Sequence, residues 1–187
     1  LGVGGGVIGA CGGVAAAAVA HGVGKRGVAR LISGYLCPGG IGVVLRMGAE
    51  LFTGNTMIVG SVLDKRVTLL QMLKDGVLVY FGNMVGSVLV AMGMYYSGQY
   101  SFNGGALAVY TIKTAAAKSA LAFGPALVLG ILCNVLVCLG VLCSLTAADT
   151  TGRILGAYIP VVLFVIGGFE HCVANMYYIP AGLLALA

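Results

Sequence analysis

The sequence predicts an all-α, polytopic membrane helical bundle, built as an inverted repeat with two broken helices. Three observations carry that expectation. Charged residues make up 8% of the chain and hydrophobic ones 60%, with a mean hydropathy of +1.07, whereas a soluble domain carries about 25% charged residues. The apolar stretches run to about 20 residues, as a helix needs to cross a hydrocarbon core of about 30 Å, without the shorter alternating strands of a barrel. Two stretches, "GAELFTGN" at 48–55 and "GFEHCVAN" at 168–175, place acidic residues at matching offsets within otherwise apolar segments.

The elements follow in order. Residues 2–20, "GVGGGVIGACGGVAAAAVA", form a first span whose Gly and Ala let helix backbones approach closely in lipid. Its "GGGVIG" fits GxGxxG, but no strand precedes it and the first acidic residue, Glu50, lies far beyond the usual spacing of about 20 residues. That match is a decoy. With Leu1 first and no charged segment ahead of the apolar run, residues 1–20 read as a span, not a signal peptide, and the chain as a fragment beginning at a helix. A second span is expected from about Leu31 to Ala49, irregular through "CPGGIG". It is interrupted at 50–56 and resumes for two turns in "MIVGSVL". Residues 71–96 form a third span, and 97–117 a polar loop leading to a short amphipathic piece. A fourth span runs from about Lys118 to Leu145. A fifth apolar run, Ile154 to Gly168, is interrupted by "FEHCVAN" and resumes at "MYYIPAGLLALA".

The net charge of +5 sits mostly in short loops, which argues for solvated helix ends and against nucleic acid. Lys25, Arg26, Arg30 and Lys113 fall on one side and Lys65, Arg66, Lys74 and Arg153 on the other, so the positive-inside rule gives no orientation. The six cysteines show no CxxC pairing and read as small buried thiols, not as disulfides, metal ligands or a redox site.

Laid over each other without gaps, the two interruptions share Gly48/Gly168, Glu50/Glu170 and Asn55/Asn175, the pattern GxExxxxN. One lies in the second span and one in the fifth. An odd separation reverses direction through the membrane, and paired broken spans point to a site at the midplane. Irregular backbone at that depth is tolerated only where it lines a cavity or is buried in protein. Ionisable residues there cost about 2.5–3.5 kcal/mol each and mark a pathway. The set is Arg46, Glu50, Glu170 and His171, with Lys118 at the mouth of the fourth span. Arg46 and Glu50, four apart on one helix, are expected to pair. Glu170 is read as fixing the imidazole or its helix. His171, which titrates near neutrality and lies at a break, is expected to face the pore.

"ELFTGN", "VYFGNMVG", "GILCNVLVCL" and "GGFEHCVANMYYIP" occur in this order along essentially the whole chain. Together they resemble the formate/nitrite transporter family, pentameric channels for small monovalent anions with an aquaporin-like six-helix protomer. The chain is closest in appearance to the hydrosulfide branch. The resemblance implies one transmembrane channel domain over 1–187, with repeat one about 1–96 and an incomplete repeat two from about 118. It also implies a homopentamer, multi-pass in the cell (inner) membrane, partnered by lipid and small anions, with no cofactor or metal. His171 becomes the central histidine and Lys118 the vestibule lysine. Leu51 and Phe52 form one apolar constriction and Phe164 the other, with Thr53 able to hydrogen-bond the histidine. Asn83, Asn134 and Asn175 match helix asparagines, the first two expected to serve packing. Two departures stand out: Cys37 replaces a phenylalanine early in the second helix, and the family's sixth helix is absent from this chain.

The expected mechanism gathers anions at Lys118 and the half-helix N-termini. Hydrated ions are excluded by the apolar rings, and His171 offers a hydrogen bond or a proton, so that a weak acid crosses neutral. Two other classes fit less well. A membrane-embedded enzyme using Glu170, His171 and Cys172 is disfavoured because adjacent helical residues point about 100° apart and the other histidine, His21, lies in a loop. A neutral-solute channel is disfavoured because no NPA motif is present.

Overall fold

The computed structural model describes the backbone of residues 1–187 and every side chain except those of Arg26, Ile41, Leu45, Arg46, Phe102 and Asn103. The chain is helical: α1 (Gly2–Ala20), α2 (Arg26–Leu36), α3 (Pro38–Met47), α4 (Phe52–Asn55), α5 (Ile58–Leu63) and α6 (Leu69–Tyr96), then α7 (Phe102–Ser119), α8 (Phe123–Thr146), α9 (Thr150–Gly167) and α10 (Cys172–Leu186). Among the described residues, five helical runs are long and apolar enough to cross a membrane, with α2 and α3 counting as one. Its 28 residues make α6 the longest helix, about 42 Å at 1.5 Å per residue.

Local chemistry sets the boundaries. Pro38 opens α3 at a position where its missing N–H costs nothing. Cys37, before it, keeps right-handed helical dihedrals, so α2 and α3 follow one another closely. Thr68 and Gln71 form a reciprocal capping box on α6. Asp149 caps α9 by accepting from the Gly152 N–H at 2.7 Å.

Three expectations are corrected. Residues 97–117 do not lead to a short piece: after a 3-10 turn at Gln99–Ser101 they form an 18-residue helix, α7, packed mainly along α10. The polar "SGQYSFNGG" hid it, because its glycines Gly104 and Gly105 sit inside the helical segment despite positive φ. The interruptions are also shorter than read. Helix resumes at Phe52 and Cys172, not at 57 and 176, because a single left-handed glycine followed by three non-helical residues suffices to end and restart it. Finally, α3 stops at Met47, so Arg46 and Glu50 do not share one helix; the Arg46 side chain lies outside the described residues.

The core is made by close helix contacts. Where α1 meets α6 the backbones touch at glycines: a Cβ on Gly6 would fall on the Asn83 carbonyl oxygen, and one on Gly86 on the Val3 carbonyl. Small-residue seams of this kind stabilise helix pairs where lipid offers no hydrophobic drive. Elsewhere α8 packs on α9 through Cys133, Val137, Val161 and Phe164, all buried. Large apolar side chains such as Leu127, Ile131 and Leu142 point outwards from α8, as expected of a lipid-facing surface.

Candidate functional site

The two breaks are the same structure twice. Gly48 (φ 63°, ψ 22°) and Gly168 (φ 71°, ψ 31°) close the incoming half-helices in the left-handed region that favours glycine. The next backbone amide reaches back five residues in each copy: Ala49 N–H to Val44 O and Phe169 N–H to Phe164 O, both at 3.0 Å. Leu51 (φ −109°, ψ 133°) and His171 (φ −113°, ψ 115°) are the extended residues that restart the helix. Asn55 Nδ2 donates to Glu50 Oε2 at 3.4 Å, and Asn175 Nδ2 donates to Glu170 Oε2 at 2.9 Å. Each glutamate is therefore held over its own break by the asparagine five residues on.

The first break is pinned by α6. Asn83, wholly buried, accepts from Phe52 N–H at 2.9 Å and donates to the carbonyls of Glu50 (2.9 Å) and Gly2 (2.7 Å). Asn134 on α8 donates to the Thr56 hydroxyl at 3.1 Å, which in turn donates to Thr53 O at 2.9 Å.

The second break carries the histidine. The N–H of Ala174 donates to His171 Nδ1 at 3.1 Å. An accepting nitrogen carries no proton, so the neutral ring is protonated on Nε2, which lies 3.1 Å from Thr53 Oγ1 and donates to it. Among the described residues nothing accepts the Thr53 hydroxyl hydrogen in turn, leaving a donor available to an anion. Phe164 stacks on the imidazole with centroids 5.4 Å apart and planes 10° apart. Both rings are buried, at 5% and 6% exposure.

A cavity of about 800 Å³ opens onto this site, lined among others by Cys37, Leu51, Lys118, Phe164, Glu170 and His171. A second, of about 120 Å³, is lined by Val44, Glu50, Leu51 and Asn55. Leu51 borders both, so its side chain stands between them.

The structure thus brings together His171, Thr53, Leu51, Phe164, Cys37, Lys118 and Glu170. It puts others elsewhere. Phe52 does not line either cavity; its ring packs edge-on against Tyr80 of α6, 5.3 Å between centroids. Asn175 serves Glu170 rather than the cavity wall. Lys118 is in the last turn of α7, not at the start of α8, and donates to both Glu170 oxygens at 3.0 and 2.9 Å. Its ammonium also stands 5.7 Å above the Tyr178 ring. Two residues were missed. Val44 precedes Gly48 by four, as Phe164 precedes Gly168, and is buried against Leu51; extending the repeat alignment backwards would have found it. Arg30, counted only as a loop charge, lies against Gly168.

A family model described as formate/nitrite transporter matches residues 1–187. The chain is 36% identical over 158 residues to the formate channel FocA of Haemophilus influenzae, covering 84% of this chain and 56% of that one. It is 37% identical over 158 residues to FocA of Escherichia coli K12, covering 84% and 55%. It therefore spans about half the length of these curated relatives. A solved structure of a pentameric formate channel with formate bound superposes with a TM-score of 0.88 at 30% identity, covering 97% of this chain and 72% of that one.

Proposed function

The chain belongs to the formate/nitrite transporter family, and from that premise we propose that it forms the pore of a multi-pass channel for small monovalent anions of weak acids. The proposed protein is a homopentamer in the cell membrane, with each protomer carrying its own pathway through an inverted repeat. The observation that carries this reading is the His171–Thr53 bond across the two breaks, in a constriction otherwise made of Leu51, Val44 and Phe164. An apolar ring excludes hydrated ions because desolvating a charge is costly. The Thr53 hydroxyl, its oxygen held by His171 Nε2–H, leaves a hydrogen-bond donor at that ring for a small, dehydrated anion or its neutral acid.

His171 acts here as a hydrogen-bond donor through Nε2. A second proton on Nδ1 would break its bond to Ala174, so the proton that neutralises a crossing anion comes from solution on the vestibule side. Glu170 and His171 are occupied by Lys118, Asn175, Thr53 and Ala174, which speaks against an acid/base enzyme site.

Formate is the leading substrate because the relatives named above are formate channels. A second reading, hydrosulfide, is favoured by one observation: Cys37 lines the cavity where formate channels are expected to carry phenylalanine, leaving a smaller, more polarizable wall. The test is influx of formate, nitrite, chloride and hydrosulfide into liposomes holding the complete protein, across external pH. Selective passage of formate or hydrosulfide, rising as pH falls, supports the proposal; passage of none of these anions refutes it.

A further inference from the structure

A broken helix presents two opposite ends to one cavity. The restarting end, α10, offers partial positive charge, and the terminating end, α9, offers partial negative charge of about the same size. Seen from the vestibule the two largely cancel. The ion pair adds little: Lys118 donates to both oxygens of Glu170 at 3.0 and 2.9 Å, so its charge is spent locally. On these groups alone the second break would be close to neutral, a poor entrance for an anion.

Resting on the channel reading above, we propose that Arg30 makes this entrance anion-attracting by covering the C-terminal end of α9 and offering its guanidinium to anions in the vestibule. The Cζ, Nη1 and Nη2 atoms of Arg30 all lie 3.5 Å from the point where a Cβ on Gly168 would sit. Gly168 is the residue that terminates α9, so the guanidinium rests on the negative end of that helix. Packing holds it there. One turn further along α2, Gly34 meets α9 so closely that a Cβ would come within 2.6 Å of Ile166 Cγ1.

Arg30 is exposed and lines the same 800 Å³ cavity as His171 and Lys118. Among the described residues no carboxylate pairs with it. A planar guanidinium binds a carboxylate through two parallel N–H donors. Lys113, also exposed on this cavity, adds a more distant charge. Arg30 is thus both a contact for the anion and the residue that offsets the α9 terminus.

The test uses the complete protein in liposomes, with formate flux followed against formate concentration and ionic strength. R30Q is expected to lower flux at subsaturating formate about fivefold at low salt, mostly through KM. The deficit should shrink below about twofold at 1 M salt, where charges are screened within ~3 Å. R30K should recover most of the flux, and K113Q should show a smaller deficit. Wild-type flux and salt dependence in an R30Q protein that assembles normally would overturn the inference. Should R30Q fail to assemble, R30H gives a second route. Its flux divided by wild type should fall as pH rises from about 5.5 to 8, as the imidazole loses its charge; a flat ratio would overturn the inference. Absence of small-anion flux in the wild type would instead overturn the channel reading itself.

Discussion

Asn83, with three hydrogen bonds to backbone, is a residue whose removal should be costly for the first break. In N83L the side chain keeps its branched four-atom shape, at a larger volume, but loses all three hydrogen bonds. The Gly2 carbonyl lies at the start of α1, so water or the helix itself offsets its loss. Glu50 O and Phe52 N–H sit in the break and have no helical partner to fall back on. An orphaned buried polar group costs about 1–3 kcal/mol, so two imply about 2–6 kcal/mol. The average of about 0.6 kcal/mol per side-chain bond measured within membranes sets a floor near 2 kcal/mol for three. We therefore expect N83L to lose at least about 2 kcal/mol in reversible unfolding in mixed detergent micelles. Flux should fall in proportion, since the freed Phe52 amide lets Leu51 and Thr53 move. N134L is the control: its partner, the Thr56 hydroxyl, keeps its bond to Thr53 O, so less than about 1 kcal/mol should be lost. Equal effects of the two substitutions, or a loss below about 0.5 kcal/mol for N83L, would refute the reasoning.

Three further outcomes are expected. H171F removes both ring bonds and should lower formate influx at every pH, and T53V, which strips the acceptor from Nε2, should lower it several-fold while the rise of influx with falling pH persists in both; an H171F channel with wild-type flux at every pH would sink the assigned role. K118M strands Glu170 with Asn175 as its partner and should lower thermal stability in detergent by about 2 kcal/mol, less than for a fully buried pair because both side chains retain some solvent. The double variant K118M/E170Q should regain most of that loss. C37F should raise the formate-to-hydrosulfide flux ratio measured side by side in liposomes; an unchanged ratio would remove Cys37 from the filter.

Much of this was legible in the residue string because lipid penalises polar atoms so heavily. Gly48, Glu50, Asn55 and their partners 120 positions on could be aligned by eye, and the backbone repeats as faithfully as the letters do. The joining of Thr53 to His171 was available only through family resemblance, since nothing local couples residues 118 apart. What stayed hidden has one cause in each case. α7 was lost because its glycines and polar residues are those of a loop, and contact with α10 outweighs that propensity. Phe52 was drawn to the pore because it adjoins Leu51, whereas Leu51 is the extended residue before α4 and Phe52 the first helical one, its ring packed against Tyr80. The Arg46–Glu50 pairing assumed a continuous helix that Gly48 ends.

On the proposed channel reading, the repeat also accounts for an asymmetric filter built on a symmetric scaffold. Leu51 and His171 occupy equivalent positions, each the extended residue that restarts a half-helix. At that position the side chain is thrown towards the centre while the following amides point back at it. A leucine there can only block, and it stands between the two cavities. A histidine there is different, because the Ala174 amide claims Nδ1 and so forces the remaining proton to Nε2, facing across the pore. Two residues on from Leu51, Thr53 meets that proton, whereas the equivalent position in the other copy is Val173, buried in the apolar cluster with Leu51 and Val44. One copy thus supplies the barrier and the acceptor that orients the donor, and the other supplies the donor. Neither copy makes the site alone, and the close Gly-to-carbonyl seams around them are what hold a 3.1 Å bond across two broken helices.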